Sequence, residues 1–400
     1  MKILFAHDRF GSFGGAESNA LLAATELKRR GHALGILHGP VTGRGETAWR
    51  GTFSHYYPLA PEKNRERVQE ALWDFAPDVV YVHKISDLEV LEQLSQGRIP
   101  VVRMVHDHDL YCMRSYKYFF WSRQICKRAA SPFCMFGCGA FVARNRGKGW
   151  PLRWVSYLQK KKEIRLNQKF QRMVVATDYM REELLRNGFD GERIRILPPA
   201  TDLCEDKIQS NFSTRNLIVY AGQIIRGKGV DVLIESLARV RTPFECLIIG
   251  EGNHKPYCQA LAQKLGLAGK IKFTGFLPQA EIRNYYKQSS LTVMSSIWPE
   301  PFGAVGLEGM RNGLPVVAFD AGGIREWLVD GFNGFLARWM DRDEFAARVE
   351  QLLLDKNLAK QMGENGRNLV MSQYDVPSYI TSLENLLEET IGESQPKAHA

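Results

Sequence analysis

The sequence predicts an α/β protein of two domains, each a parallel β-sheet covered by helices. Three observations carry that prediction. The chain has 400 residues, more than one core of ordinary size takes up. Short apolar strands alternate with helical segments. The alternation breaks in a polar, proline-led segment between Pro198 and Arg215 and restarts near residue 216. The expected domains are 1–200 and 201–375, with a helix near 376–392 packing back on the first.

The first half opens with the apolar strand Ile3–Ala6 and a turn rich in glycine, Gly11 to Gly15. A helix is expected from Ala16 to Arg30, because Ala20, Leu21, Ala24 and Leu27 recur at helical spacing and Gly31 stops it. Further strands are expected at Ala33–Leu37, Val79–Val82, Val101–Val105 and Met173–Ala176. In the second half the strand Leu217–Ala221 leads through a turn, Gly222 to Gly229, into a helix from Val230 to Val240. Strands at Cys246–Ile249, Ile271–Thr274, Leu291–Met294 and Val316–Phe319 then alternate with helices at Pro256–Leu265, Gln279–Gln288 and Gly306–Asn312. The polar tail from Gly392 to Ala400 is expected to fray.

Hydrophobic residues make up 44% and charged residues 24%, which excludes a wholly disordered chain. The net charge is +9, so anionic partners are expected. Met1–Ala6 is too short for a signal peptide before His7, Asp8 and Arg9 intervene, and no apolar run is long enough to span a membrane. The expected location is the cytoplasm, peripheral on the inner leaflet, with the seven cysteines reduced.

The most specific string runs from Glu300 to Ala318. Two glutamates, Glu300 and Glu308, frame a Pro/Gly loop that enters a helix. A helix start presents free N–H groups and a positive dipole end, which suit a diphosphate. Gly303 and Gly306 are expected to let that backbone approach a ligand. An isolated pair of glutamates at this spacing would read as a loop cap and a solvated helix residue. The whole string resembles, nearly letter for letter, the E-x7-E signature of family 4 retaining glycosyltransferases of GT-B fold. The likeness is strong from Asn216 to Val376 and weaker before that.

The resemblance implies two Rossmann-like domains facing each other across a cleft. It also implies transfer of a hexose from a UDP-, GDP- or ADP-sugar to a glycan or lipid-linked acceptor, as in bacterial cell-surface polysaccharide or lipopolysaccharide synthesis. No cofactor and no metal are expected. Glu300 would contact the donor sugar and Glu308 the ribose, since a carboxylate accepts from two adjacent hydroxyls. Phe302, Gly303, Ala304 and Val305 complete that loop. The turn from Gly222 to Gly229 is similar to the family's diphosphate loop, in which an Arg and a Lys hold the phosphates. Lys228 matches the lysine. Gln223 stands where the arginine belongs, and Arg226 is the nearest replacement, although an amide does not replace a guanidinium fork. Gly250 resembles the family's strand-end turn at the nucleotide, and Phe276 and Leu277 the segment that brackets the base. The turn from Asp320 to Glu326 is also family-like.

In the first half, Gly14 and Gly15 resemble the glycine loop that closes over the diphosphate and sugar. His106 ends the strand Val101–Val105, where parallel sheets place ligand groups, and in the family a histidine there lies near the anomeric carbon. His106, Glu300 and Lys228 are the catalytic candidates. Asp107 and Asp109 have metal-motif spacing but read as structural or acceptor-facing. Cys112, Cys126, Cys134 and Cys138 lie close in sequence without the paired spacing of a zinc site, so free thiols are expected ahead of a metal. The same loop holds Tyr111, Tyr116, Tyr118, Phe119, Phe120 and Trp121, which suit an acceptor glycan, a lid or core.

From Phe141 to Arg172 there are ten Lys and Arg against one acid, Glu163, with Trp150, Trp154 and Leu158 interleaved. This reads as an interfacial helix on an anionic membrane, or as a solvated basic helix. No nucleic-acid-binding motif accompanies the charge, so nucleic acid is not an expected partner. The alternatives are a nucleotide-sugar 2-epimerase or phosphorylase of the same fold, a catalytically weak sugar-nucleotide binder, and a basic nucleic-acid-binding protein. A dehydrogenase is set aside because no G-x-G-x-x-G follows the first strand.

Overall fold

A computed structural model describes residues 1–12, 14–119, 121–144, 152–200, 212 and 215–394. The chain forms two compact units. One comprises Met1–Lys117, Lys127–Ala200 and the chain from Val376 onward, the other Tyr118–Cys126 and Thr201–Asp375.

The first unit contains β1 (Lys2–His7), α1 (Gly15–Arg29), β2 (Ala33–His38), α2 (Glu46–Thr52), β3 (His55–Pro58), α3 (Asn64–Asp74), β4 (Val79–Val82), α4 (Leu88–Gln96) and β5 (Val101–Val105). It continues with α5 (Phe133–Phe136), β6 (Val142–Arg144), β7 (Leu152–Trp154), α6 (Tyr157–Asn167), β8 (Arg172–Val175), α7 (Asp178–Arg186) and β9 (Ile194–Ile196). Its sheet has the order β3-β2-β1-β4-β5-β8-β9, and every pair is parallel. The strands β4, β5 and β8 are buried along their whole length, as in a sheet covered on both faces; β4 is apolar throughout, whereas β5 and β8 carry the buried Arg103 and Arg172.

The second unit contains β10 (Leu217–Ala221), α8 (Val230–Leu237), β11 (Glu245–Ile249), α9 (Lys255–Lys264), β12 (Ile271–Gly275), α10 (Gln279–Gln288) and β13 (Leu291–Met294). It continues with α11 (Ala304–Arg311), β14 (Val316–Phe319), β15 (Gly334–Ala337), α12 (Arg342–Leu354) and α13 (Lys356–Gln373). Its sheet runs β12-β11-β10-β13-β14-β15, all parallel. In both sheets the strand order reverses beside the first strand, between β1 and β4 and between β10 and β13. The carboxyl ends of strands at such a reversal are where α/β sheets place ligands.

The last helix, α14 (Val376–Ser394), belongs to the first unit. It buries Val376, Tyr379, Ile380, Leu383, Leu386 and Leu387 at helical spacing. These pack with Phe5, Ala20, Ala24, Tyr81 and Val102 in one core, and Asn19 donates to the Tyr379 hydroxyl at 3.2 Å. Among the described residues no helix is long and apolar enough to cross a membrane.

Three expectations need correction. The basic stretch is not one interfacial helix. Val142–Arg144 pairs antiparallel with Leu152–Trp154, and α6 starts only after the N-cap Ser156. Gly147, Gly149 and Pro151 in the connection do not favour helix; they lie outside the described residues, with Arg146, Lys148 and Trp150. The second correction concerns the helix expected from Gly306, which begins at Ala304 with Gly303 as its N-cap in the left-handed region, φ +87°. Gly392–Ser394, expected to fray, continue α14; Phe13, Phe120, Cys204 and residues 395–400 of the tail fall outside the described residues.

Candidate active site

In the second unit the carboxyl ends of the neighbouring strands β10 and β11 meet backbone to backbone. Gly222 and Gly250 take φ of +149° and +141°, which favour glycine. A Cβ on Gly250 would stand 1.9 Å from the Gly222 carbonyl oxygen. The loop after β10 makes one 3-10 turn, Arg226–Lys228, and enters α8 through Gly229, also left-handed at φ +64°. A Cβ on Gly229 would overlap the Ser295 carbonyl oxygen at 2.0 Å. Only glycine lets this loop lie against the segment that follows β13.

That closeness brings Lys228 to Glu300. The Lys228 ammonium donates to Glu300 Oε1 at 2.6 Å and stands 4.8 Å from the Trp298 ring centroid. The Ser296 hydroxyl donates to the same carboxylate oxygen. Glu300 is only 3% exposed. Burial alone would raise its carboxyl pKa, but Lys228 and the hydrogen bonds from Ser296 and Trp298 hold it below the usual range. The site therefore keeps a buried carboxylate, with a cation that remains part-exposed. The Glu300 backbone is fixed as well: its N–H donates to Ala321 O at 3.0 Å, and Gly323 N–H donates to Glu300 O at 2.7 Å. The family-like turn at Asp320–Glu326 thus supports the glutamate.

Glu308 lies on α11 and accepts from the Gln279 amide at 3.0 Å. Burial raises its carboxyl pKa, opposed by Gln279, Arg283 and Arg311. Phe302 is buried, its ring centroid lies 5.7 Å from that of Tyr374 with the planes tilted by 52°, and its carbonyl accepts from the Trp327 indole at 2.6 Å. Ala304 is exposed and Val305 half-buried at the helix start. A Cβ on Gly306 would meet Trp327 at 2.1 Å and one on Gly309 would meet Thr292 at 2.3 Å. Gly306 is small because of Trp327, which corrects the expectation that it yields to a ligand. Phe276 is 73% exposed, and Leu277 is partly buried against the core beside β10.

In the first unit the reversal point gathers histidines. His83, one residue past β4, shares a 2.8 Å hydrogen bond from Nδ1 with His106 Nε2, and their rings stack at 5.1 Å. His7 ends β1. Burial lowers the pKa of both His83 and His106, and neighbouring imidazoles and cations lower it further. Both rings are therefore neutral near pH 7. Gly14 caps α1 in extended backbone with no side-chain cap. A Cβ on Gly15 would have nothing within 4 Å, and one on Gly14 only a Glu17 oxygen at 3.5 Å. Protein packing does not demand glycine at either position.

Asp107 and Asp109 both pair with Lys84, at 2.6 and 2.9 Å, a closed charge cluster. His108 is buried against the Tyr111 hydroxyl at 2.9 Å, a structural role. Cys112, Cys126, Cys134 and Cys138 form no disulfide, and among the described residues no group of three or more His, Cys, Asp or Glu side chains could hold a metal. Sequence reasoning singled out Glu300, Lys228 and Glu308. It missed Ser296, Gln279 and His83. His83 carried a usable signal, a polar residue directly after an apolar strand.

Two family profiles match the chain: Glycosyltransferase Family 4 over residues 13–205 and Glycosyl transferases group 1 over residues 204–369. The lipopolysaccharide core biosynthesis glycosyltransferase LpsE of Rhizobium meliloti is 31% identical over 158 residues, 40% of this chain and 45% of that protein. The alpha-D-kanosaminyltransferase of Streptomyces kanamyceticus is 28% identical over 232 residues, 54% of this chain and 60% of that protein. The chain thus spans about half the length of the curated relatives it matches. The crystal structure of Anabaena Alr3699/HepE in complex with UDP-glucose superposes with a TM-score of 0.73 at 19% identity, covering 97% of this chain and 100% of that one.

Proposed function

Because this chain belongs to the family 4 glycosyltransferases of GT-B fold, we propose that it moves a hexose from a nucleoside-diphosphate sugar to a glycan or lipid-linked acceptor. The reading includes retention at the anomeric carbon and a place in bacterial cell-surface polysaccharide or lipopolysaccharide synthesis. One observation carries it: a buried carboxylate, Glu300, is held 2.6 Å from Lys228 at the sheet reversal, a few residues before the start of α11. That combination offers an acceptor for sugar hydroxyls and a cation and helix start for phosphates.

In this mechanism the acceptor hydroxyl attacks the anomeric carbon from the face the diphosphate leaves. The bond from carbon to phosphate oxygen breaks, and the departing oxygen takes the acceptor's proton. Lys228, Arg226 and the first N–H groups of α11 stabilise the charge on the diphosphate. Glu300 orients the hexose and Glu308 the ribose. For the first unit the resemblance carries over roles for Gly14 and Gly15 at the donor and for His106 near the anomeric carbon. The open space beside Gly15 supports the first assignment. The neutral state of His106 supports the second, since a neutral imidazole donates a hydrogen bond without adding charge.

Incubation with UDP-, GDP- and ADP-hexoses and lipid-linked or soluble glycan acceptors, read by proton NMR of the product's anomeric coupling, tests this reading. Retained configuration is expected, and an inverted product contradicts it. Gln223 favours a second reading, a sugar-nucleotide binder with weak turnover, and the same assay would reveal it as binding without product.

Membrane attachment is part of the proposal. Trp154 and Leu158 are 81% and 74% exposed. On the same helix as Leu158, α6, Lys161 and Arg165 line a groove of about 220 Å³ together with Arg186. Exposed apolar side chains next to cations suit an anionic inner leaflet. Co-sedimentation with anionic vesicles is expected, weakened in Lys161→Glu/Arg165→Glu, and equal binding to neutral vesicles contradicts it.

A further inference from the structure

The aromatic loop of the sequence finds a place within the second unit. Tyr118–Cys126 packs with that unit, although its sequence neighbours on both sides belong to the first. The segment is a tight turn: Tyr118 and Ile125 form an antiparallel bridge. Phe119 N–H donates to Gln124 O and Arg123 N–H to Phe119 O, both at 2.9 Å. Arg123 takes φ +60°, a left-handed conformation that a residue with a side chain keeps only where its surroundings hold it.

The surroundings here are Asp231 and the diphosphate loop. Arg123 donates to Asp231 Oδ2 at 2.6 Å, with the two side chains 15% and 7% exposed. Asp231 is the second residue of α8, two residues after Gly229. His254 Nε2 stands 3.7 Å from the other Asp231 oxygen, and burial keeps that imidazole's pKa low against the pull of Asp231. Arg123 is therefore the cation that neutralises Asp231. Tyr118 is 8% exposed and covers Gly227: a Cβ there would stand 3.2 Å from Tyr118 Cε1 and 3.4 Å from Trp298 Cβ. The Gly227 carbonyl accepts from the Ile297 and Trp298 N–H groups, each at 3.0 Å. The turn Arg226–Lys228 is thus bordered by the bridge segment and by the chain leading to Glu300.

We propose that Arg123 is a positioning residue. By clamping Asp231 while Tyr118 covers Gly227, it holds the Arg226–Lys228 turn in the shape that receives the donor's diphosphate. The ligand in this statement rests on the function proposed above; the clamp itself does not. A loop that contains Gly227 and ends at Gly229 has much conformational freedom to lose, and with Gln223 at its start its one guanidinium, Arg226, sits on that mobile turn. An external clamp removes that cost before the ligand arrives.

Hydrogen exchange over residues 222–232 of the full chain, without ligand, tests the clamp. Arg123→Ala and Asp231→Asn are each expected to speed exchange there while β13 and β14 keep their protection. The double variant is expected to add nothing further, since both remove one contact. Additive effects, or exchange at 222–232 unchanged in Arg123→Ala, would overturn the proposal. If Arg123→Ala also strips protection from the sheet, Arg123→Lys decides. Near-normal protection at 222–232 supports the clamp, and loosening as great as in the alanine variant overturns it. UDP titration supplies the second reading: Arg123→Ala is expected to raise Kd about tenfold, equivalent to about 1.4 kcal/mol. A wild-type chain that binds neither UDP, GDP nor ADP would sink the functional reading while the exchange data still judge the clamp.

Discussion

Glu300 sits with one carboxylate oxygen shared by Lys228 and Ser296, and its behaviour sets the predictions at the residue scale. Glu300→Ala is expected to lower turnover by about 10²–10³ while circular dichroism and the melting transition stay close to normal, since part-exposed Lys228 can turn to water. Titration gives signed expectations. The Glu300 carboxyl lies below its unfolded value near 4.3, so its contribution to stability is present above that pH and lost as pH falls through the folded value. His83 and His106 are held below their unfolded value near 6.5. They also stabilise the fold above that pH, and the contribution fades as pH drops and the unfolded chain takes up protons first. Glu308 runs the other way: its raised carboxyl relieves a penalty as pH falls. Urea unfolding should therefore show lower stability at pH 5.5 than at 7.5, by up to about 1.4 kcal/mol per pH unit for each imidazole. His83→Phe should flatten that slope, and an unchanged slope would contradict the neutral histidine pair. Glu300, Glu308 and Lys228 were legible because their spacing in sequence carries the pattern. Ser296 and Gln279 were not, because each meets its glutamate only after the chain folds.

At the scale of elements, glycines separate packing from ligand access. Gly306 lies on Trp327 and Gly309 on Thr292, so α11 approaches the sheet closely. Gly306→Ala should cost about 1–3 kcal/mol through overpacking, read as a lower urea midpoint. Gly15→Val meets no protein atom within 4 Å of its Cβ. Its stability should stay within about 0.5 kcal/mol, while the KM for donor rises. A large loss of stability in Gly15→Val would show that packing, not a ligand, needs that glycine. In α14, Leu383 is fully buried, and Leu383→Ala should cost about 2–5 kcal/mol. The buried inner strands were read from sequence to within a residue or two. The edge strands β3, β9 and β15 were not: His55–Pro58 is mostly exposed and ends in proline, Ile194–Ile196 has three residues, and Gly334–Ala337 begins with glycine and is short. Such pieces take their strand character from the neighbour they pair with, not from their own pattern.

At the scale of the whole molecule, strict alternation of strand and helix made two parallel sheets legible, because each connection must cross over to keep the strands parallel. The assignment of Tyr118–Cys126 to the second unit was not legible, since no local pattern signals which core a loop joins. Nor was the break of the basic stretch into a hairpin and a helix, where composition dominated the reading. The central claim is that the second unit holds a sugar nucleotide through Lys228 and Glu300. Isothermal titration of the full chain with UDP-, GDP- and ADP-hexoses, repeated on Lys228→Ala, tests it most directly. One nucleotide sugar should bind at micromolar Kd and weaken at least tenfold, about 1.4 kcal/mol, in the variant; no binding by any of them, or binding untouched by Lys228→Ala, would contradict the claim.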